Sequence, residues 1–183
     1  MKLRILPLPL LAAGLLLGCN PDPNPPSAPG SVTTPAPMPG KADEQAAGNS
    51  IKVRMNKVTA EGVGDSTGTI IITETADGLV FKPELQGLQA GEHGFHVHQT
   101  GSCEPTTKDG KTVLGGAAGG HYDPEKTNQH GTPWTTNNHK GDLPPLYADA
   151  DGKVTNAVLA PRLKVEDVKG KALMIHFGGD NHS

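Results

Sequence analysis

The stretch from Thr100 to Asp151 constrains this chain more than any other feature. It is rich in Gly, Pro, Asn and His and poor in large apolar side chains, so it cannot offset the entropy of ordering itself by burying surface. A connection of that length is uncommon in a compact domain unless it is functional or held by something other than a core. The rest of the chain must therefore supply the core, and something must staple the loop to it. With 183 residues there is room for one compact domain and not obviously for two. Aromatic residues make up 3% of the chain, against 24 Gly and 17 Pro. That balance favours short strands joined by many turns over helices packed on bulky side chains.

The strand signals lie on either side of the loop. Ile51, Val53 and Met55 alternate with Lys52, Arg54 and Asn56, the period of two expected of a half-buried strand. Thr67 to Thr75 is rich in Ile and Thr, and Thr75-Ala76-Asp77-Gly78 reads as a turn into Leu79-Val80-Phe81. Gly94–Gln99, Val154–Leu159 and Ala172–Phe177 are further strand candidates. No useful length of sequence repeats at 3.6 residues. An all-β domain with one metal-stapled loop is the expectation.

Residues 1–18 read as an export signal: Lys2 and Arg4 precede an apolar run from Ile5 to Leu17, and Gly18 is small. The run is shorter than the roughly 20 apolar residues that span a bilayer. Leu16-Leu17-Gly18-Cys19 resembles a bacterial lipobox, which would make Cys19 the lipidated first residue of a mature chain. Residues 20–49 hold eight prolines and little that is large and apolar. Such a segment favours extended polyproline II and acts as a semi-rigid spacer. The expected layout is a signal at 1–18, a lipidated cysteine with a Pro-rich linker at 19–49, and a globular domain at 50–183. An exported envelope or periplasmic protein, tied to a membrane through Cys19, follows. Without residues 1–18, 14 basic residues face 19 acidic ones, a net of −5. No basic face for nucleic acid is indicated.

All eight histidines fall between residues 93 and 182. His96 and His98 are two apart in Phe95-His96-Val97-His98, and on a strand such residues share a face. Downstream come His121, His130, His139 and Asp142, then His176 on another expected strand. Solvation would account for any one of these histidines, but not for the set. Imidazoles with one carboxylate suit zinc or copper. His93 beside the first strand reads as structural, His182 as solvated, and Trp134 as packing or a surface aromatic.

Four segments resemble the bacterial copper–zinc superoxide dismutases. They are Gly94-Phe95-His96-Val97-His98, Gly119-Gly120-His121-Tyr122-Asp123-Pro124, His139-Lys140-Gly141-Asp142-Leu143-Pro144 and Leu173-Met174-Ile175-His176. The resemblance runs from about residue 50 onward, in order. It implies a Greek-key β-barrel or immunoglobulin-like sandwich and disproportionation of superoxide to oxygen and hydrogen peroxide. By position it makes His96, His98, His121 and His176 the copper ligands. It makes His121, His130, His139 and Asp142 the zinc ligands, with His121 bridging the two metals. Asp180 matches the family's aspartate that joins ligands of both metals by hydrogen bonds.

The family pattern continues past the position of Ser183 with a glycine-rich turn, an active-site arginine, a cysteine and a last strand. The expectation for this sequence is therefore a barrel with an exposed edge beside the His176 strand. Cys103 matches the family's first disulfide cysteine and is expected to be an odd thiol once Cys19 carries lipid. Lys108, Lys111 or Lys140 could substitute for the arginine. A non-enzymatic copper- or zinc-binding lipoprotein needs the same ligands without that arginine, and stands as the alternative to the enzyme.

Overall fold

A computed structural model describes the backbone pairing of residues 15–18 and the full structure of residues 50–180. Cys19, most of the leader and linker, and His182 lie outside the described residues. The first long strand, β2 (Ser50–Thr59), buries Val53, Met55 and Val58 and turns its lysines outward. It folds back antiparallel on β3 (Gly62–Thr75), with irregular register around Asn56. β3 turns through Ala76-Asp77 into β4 (Gly78–Leu85). In that turn the Thr75 hydroxyl donates to the Gly78 carbonyl at 2.9 Å. Gly78 has φ +125°, and any side chain there would run into the Ala160 carbonyl, so only glycine suits the position.

The strands with the strongest sequence alternation make the core. Leu79, Phe81, Pro83 and Leu85 of β4 point inward, and Val80, Lys82 and Glu84 do not. Phe81 meets Phe95 edge-on, with centroids 5.5 Å apart. Around that pair pack Ile70, Ile72, Leu143, Leu146, Leu163 and Ile175. Truncating a buried phenylalanine of this kind costs about 3–5 kcal/mol.

The main sheet runs β10-β4-β3-β2-β1-β11-β6, where β1 is Leu15–Gly18, β6 is Phe95–His98, β10 is Val158–Ala160 and β11 is Ala172–Ile175. It does not close on itself. A two-stranded ladder joins β5 (Gly91–His93) to β9 (Leu146–Ala148), and a second joins β7 (Thr106–Lys108) to β8 (Lys111–Val113). The result is the all-β sandwich expected, with shorter strands than the sequence suggested at β10 and β11. A four-residue helix, α1 (Val165–Val168), has no counterpart in the sequence reading.

Two expectations are corrected. The edge of β11 away from β6 is not exposed, because β1 lies between β2 and β11 and pairs antiparallel with both. Nor is Cys103 an odd thiol: it is disulfide-bonded, and no described cysteine is free. Cys103 is buried in a small second cluster with Val58, Ala118, Ala172 and Met174. That cluster fastens the start of the long loop to the sheet.

Candidate metal centre

β6 carries the site because strand geometry sorts its side chains. Phe95 and Val97 enter the core, so His96 and His98 project together from the opposite face. One edge of β6 pairs with β11, placing Met174 across from His96 and Ala172 across from His98. The other edge receives the long loop, through bridges from His96 to Asp142 and from His98 to His121. There Val97 N–H donates to Gly141 O at 2.9 Å, Gly141 N–H to Tyr122 O at 2.8 Å, and Tyr122 N–H to Val97 O at 2.8 Å. Position 141 must be glycine for this approach, since a Cβ would strike the Val97 carbonyl. The loop thus docks by its backbone, and the docking delivers His121 and Asp142 beside the strand histidines.

Ligand atoms of His96, His98, His121 and His176 all lie within 4.8 Å of one another. A second group with the same spread contains His96, His121, His130 and Asp142. His139, expected in the second group by sequence, stands at its margin, with Nδ1 3.5 Å from Asp142 Oδ1. That same oxygen lies 3.0 Å from His121 Nδ1 and 3.1 Å from His130 Nδ1. Three imidazoles therefore face one carboxylate oxygen. The other oxygen is already engaged, accepting from Gly131 N–H and Asn138 Nδ2–H, each at 2.9 Å.

Ring orientation is fixed by partners outside the cluster. His98 donates from Nδ1 to Gly119 O at 2.8 Å, which leaves Nε2 as the lone-pair nitrogen. Asp180 reaches His96 Nε2 with one oxygen and His130 Nε2 with the other, both at 2.6 Å. His93 has its ring nitrogens 2.7 Å from His176 O and from Gln89 O. It is a buried strut that fixes the backbone of His176, in keeping with its structural reading. Among the described residues, four buried side-chain nitrogens have no hydrogen-bond partner: His96 Nδ1, His98 Nε2, His139 Nδ1 and His176 Nε2. Unpaired buried polar atoms are costly, and four of them in histidines gathered around two ligand groups fit bound metal.

The electrostatics agree with that chemistry. Burial holds His96 down to about 3, helped by His121 and His176 and opposed by Asp180. Burial likewise holds His98 and His176 down to about 4. Neutral imidazole is the form that ligates a metal. For Asp142, burial pushes upward, but hydrogen bonds from His121 and Asn138 and the charge of His130 prevail, leaving it at about 2. A cavity of about 420 Å³ opens over the loop side of the cluster, lined in part by His121, His130, His139, Gln99 and Lys126. Trp134 is 66% exposed. Of the three lysines considered as replacement cations, Lys140 is tied to Asp167 at 2.8 Å.

The sequence reading missed Asn138 and Arg162. Both contact the loop rather than the cluster's open side, and neither belongs to any spacing pattern.

Residues 66–183 match the family model described as copper/zinc superoxide dismutase. The chain belongs to the copper/zinc superoxide dismutase family. It is 61% identical over 127 residues to a Cu-Zn superoxide dismutase of Photobacterium leiognathi, covering 69% of this chain and 73% of that protein. It is 56% identical over 135 residues to the Cu-Zn superoxide dismutase of Escherichia coli K12, covering 73% and 78%. Among solved structures, the Cu/Zn superoxide dismutase of Brucella abortus aligns with a TM-score of 0.72 at 48% identity, over 74% of this chain and 88% of that one. The monomeric copper, zinc superoxide dismutase of Salmonella enterica aligns at 0.67 and 55%, over 73% and 87%. Members of this copper/zinc superoxide dismutase family take their description from both metals, and the two overlapping ligand groups suit a two-metal site.

Proposed function

We propose that this chain disproportionates superoxide, converting two superoxide anions and two protons to oxygen and hydrogen peroxide. In this reading His96, His98, His121 and His176 hold copper, while His121, His130, His139 and Asp142 hold zinc. The observation that carries it is the position of His121. Its Nδ1 faces Asp142, while the residue also belongs to the group with His96, His98 and His176. Bound copper supplies one-electron redox chemistry and bound zinc supplies none, serving charge and order.

The protein's own residues do the rest. Gly119 O selects the His98 tautomer that leaves Nε2 available. Asp180 occupies Nε2 of His96, so the buried Nδ1 is the nitrogen through which His96 would hold the metal. His121 Nε2 is the atom at which a proton can be held for delivery to the forming peroxide. Asp180 links one histidine of each set, which keeps the two halves in register. Metal analysis combined with superoxide consumption by the full chain tests the proposal. Stoichiometric copper and zinc with copper-dependent turnover support it, whereas metal binding without turnover overturns the enzymatic reading.

We also infer that residues 1–18 direct export, that Cys19 carries lipid and that residues 19–49 tether the domain in the cell envelope. The lipobox-like Leu16-Leu17-Gly18-Cys19 and the eight prolines after it support this. Among the described residues no helix is long and apolar enough to cross a membrane. Labelling with a radioactive fatty acid, compared with Cys19→Ser, tests the anchor: label that persists in the variant refutes it.

A further inference from the structure

Something must also fix the loop backbone on which His130 and His139 ride. That segment has almost no core contact of its own: from Thr127 to Asn138 only Pro133 and Asn138 are buried. Its outer flank is met instead by the chain between β10 and α1. Arg162 projects from there with its neighbour Leu163 sunk in the core at 1% exposure, so the base of the side chain is anchored. Its guanidinium donates three times to loop carbonyls: Nε–H to Pro133 O at 3.0 Å, Nη2–H to His139 O at 2.8 Å, and Nη1–H to Asn138 O at 3.4 Å.

Asp167, on α1, completes the contact. One oxygen accepts from Lys140 Nζ at 2.8 Å and from the Tyr122 hydroxyl at 3.3 Å. The other accepts from Lys164 N–H at 2.9 Å, securing the start of α1. Tyr122 and Lys140 immediately follow His121 and His139. One short segment, residues 162–167, thus grips the chain next to two histidines of the cluster and at the carbonyl of one of them.

We propose that Arg162, assisted by Asp167, is a positioning residue for the zinc half of the centre, holding His130 and His139 in ligating geometry through the loop backbone. The proposal rests on the zinc assignment given above. Arginine suits the task because its planar fork offers several fixed donors and stays charged. A lysine ammonium is a point donor on a flexible stem, and cannot span carbonyls on Pro133 and His139 together. Asn138 relays the effect: its carbonyl faces Arg162 while its side chain donates to Asp142.

The test uses the full chain with Arg162→Ala, Arg162→Lys and Asp167→Asn. Zn²⁺ affinity is measured by competition with a chromophoric chelator, and Co²⁺ in its place reports ligand geometry through its visible bands. Loss of an outer partner of a metal site typically costs about 10–100-fold in affinity. That range is expected for Arg162→Ala, with altered Co²⁺ bands, an unchanged melting temperature of the metal-free protein and no rescue by Arg162→Lys. Asp167→Asn should give a smaller loss in the same direction. Affinity within about twofold of the parent and unchanged Co²⁺ bands would overturn the proposal. So would a loss matched by an equal fall in metal-free stability, since the role would then be scaffolding alone. If the parent itself takes up no Zn²⁺, or keeps it when His130 is replaced by alanine, the zinc assignment fails first and the positioning role falls with it.

Discussion

Asp142 Oδ1 lies 3.0 Å from His121 Nδ1, and His121 is one of two residues, with His96, shared by both ligand groups. The carboxylate therefore sets the orientation of the ring on which the two halves of the centre meet. Asp142→Asn keeps the volume, removes the charge and can turn an amide N–H toward donors it formerly accepted from. Zinc retention should fall roughly 100-fold or more, since ligand loss exceeds the 10–100-fold typical of outer partners. Equilibrium dialysis gives the answer, and undiminished zinc would remove Asp142 from the ligand set.

His176 belongs to the four-histidine group and not to the group containing Asp142. His176→Ala should abolish copper-dependent superoxide consumption while zinc stays bound at its original stoichiometry. Activity retained at the parental level would show that the assignment by position is wrong.

The loop from His121 to Asp142 depends on the cluster for order, because few of its residues are buried. Removing metal should speed amide exchange at Gly131 and His139 well before it speeds exchange in β2, β3 and β4. Mass-spectrometric or NMR exchange, run with and without chelator, makes the comparison. Equal loop protection in both forms contradicts the prediction.

Acid should destabilise even the metal-free protein. Burial holds His96 at about 3 and His98 and His176 at about 4, against 6.5 when unfolded. Between those values the unfolded chain binds more protons than the folded one. Stability is therefore fully present above about pH 6.5 and is lost as pH falls toward 4 and then 3. The depressed Asp142 adds to the loss at the lowest pH. Melts of chelated protein from about pH 7.5 down to about pH 4 should show a falling midpoint, and a flat profile would sink this reading.

Much of the centre could be read from the sequence because strand geometry makes it local. The pair His96 and His98 is meaningful on the period of two, and the loop histidines are few enough to be assigned together. The hydrophobic alternation of β2 and β4 likewise announces the core. What escaped has no periodic signal. β7 and β8 are three residues each and fully exposed, so neither shows a buried face. α1 is a single turn. Val154 was expected to begin a strand but makes an isolated bridge with Leu85 instead, and the ladder starts only at Val158. Arg162 acts through main-chain carbonyls, which are the same whatever side chains the loop carries. β1 was hidden for the opposite reason: an apolar run before a cysteine has an obvious reading as a leader, which masks its fit to a sheet.

That fit places two demands on the same four residues. Leu15–Gly18 forms a ladder on each of its edges, with Leu17 opposite Asn56 on one side and Met174 on the other. A peptidase cutting before Cys19 would carry the strand away, and both of its ladders with it. Whether residues 15–18 are cut away or paired first therefore becomes a kinetic race, and its two outcomes differ in whether β2 and β11 are joined through a shared strand.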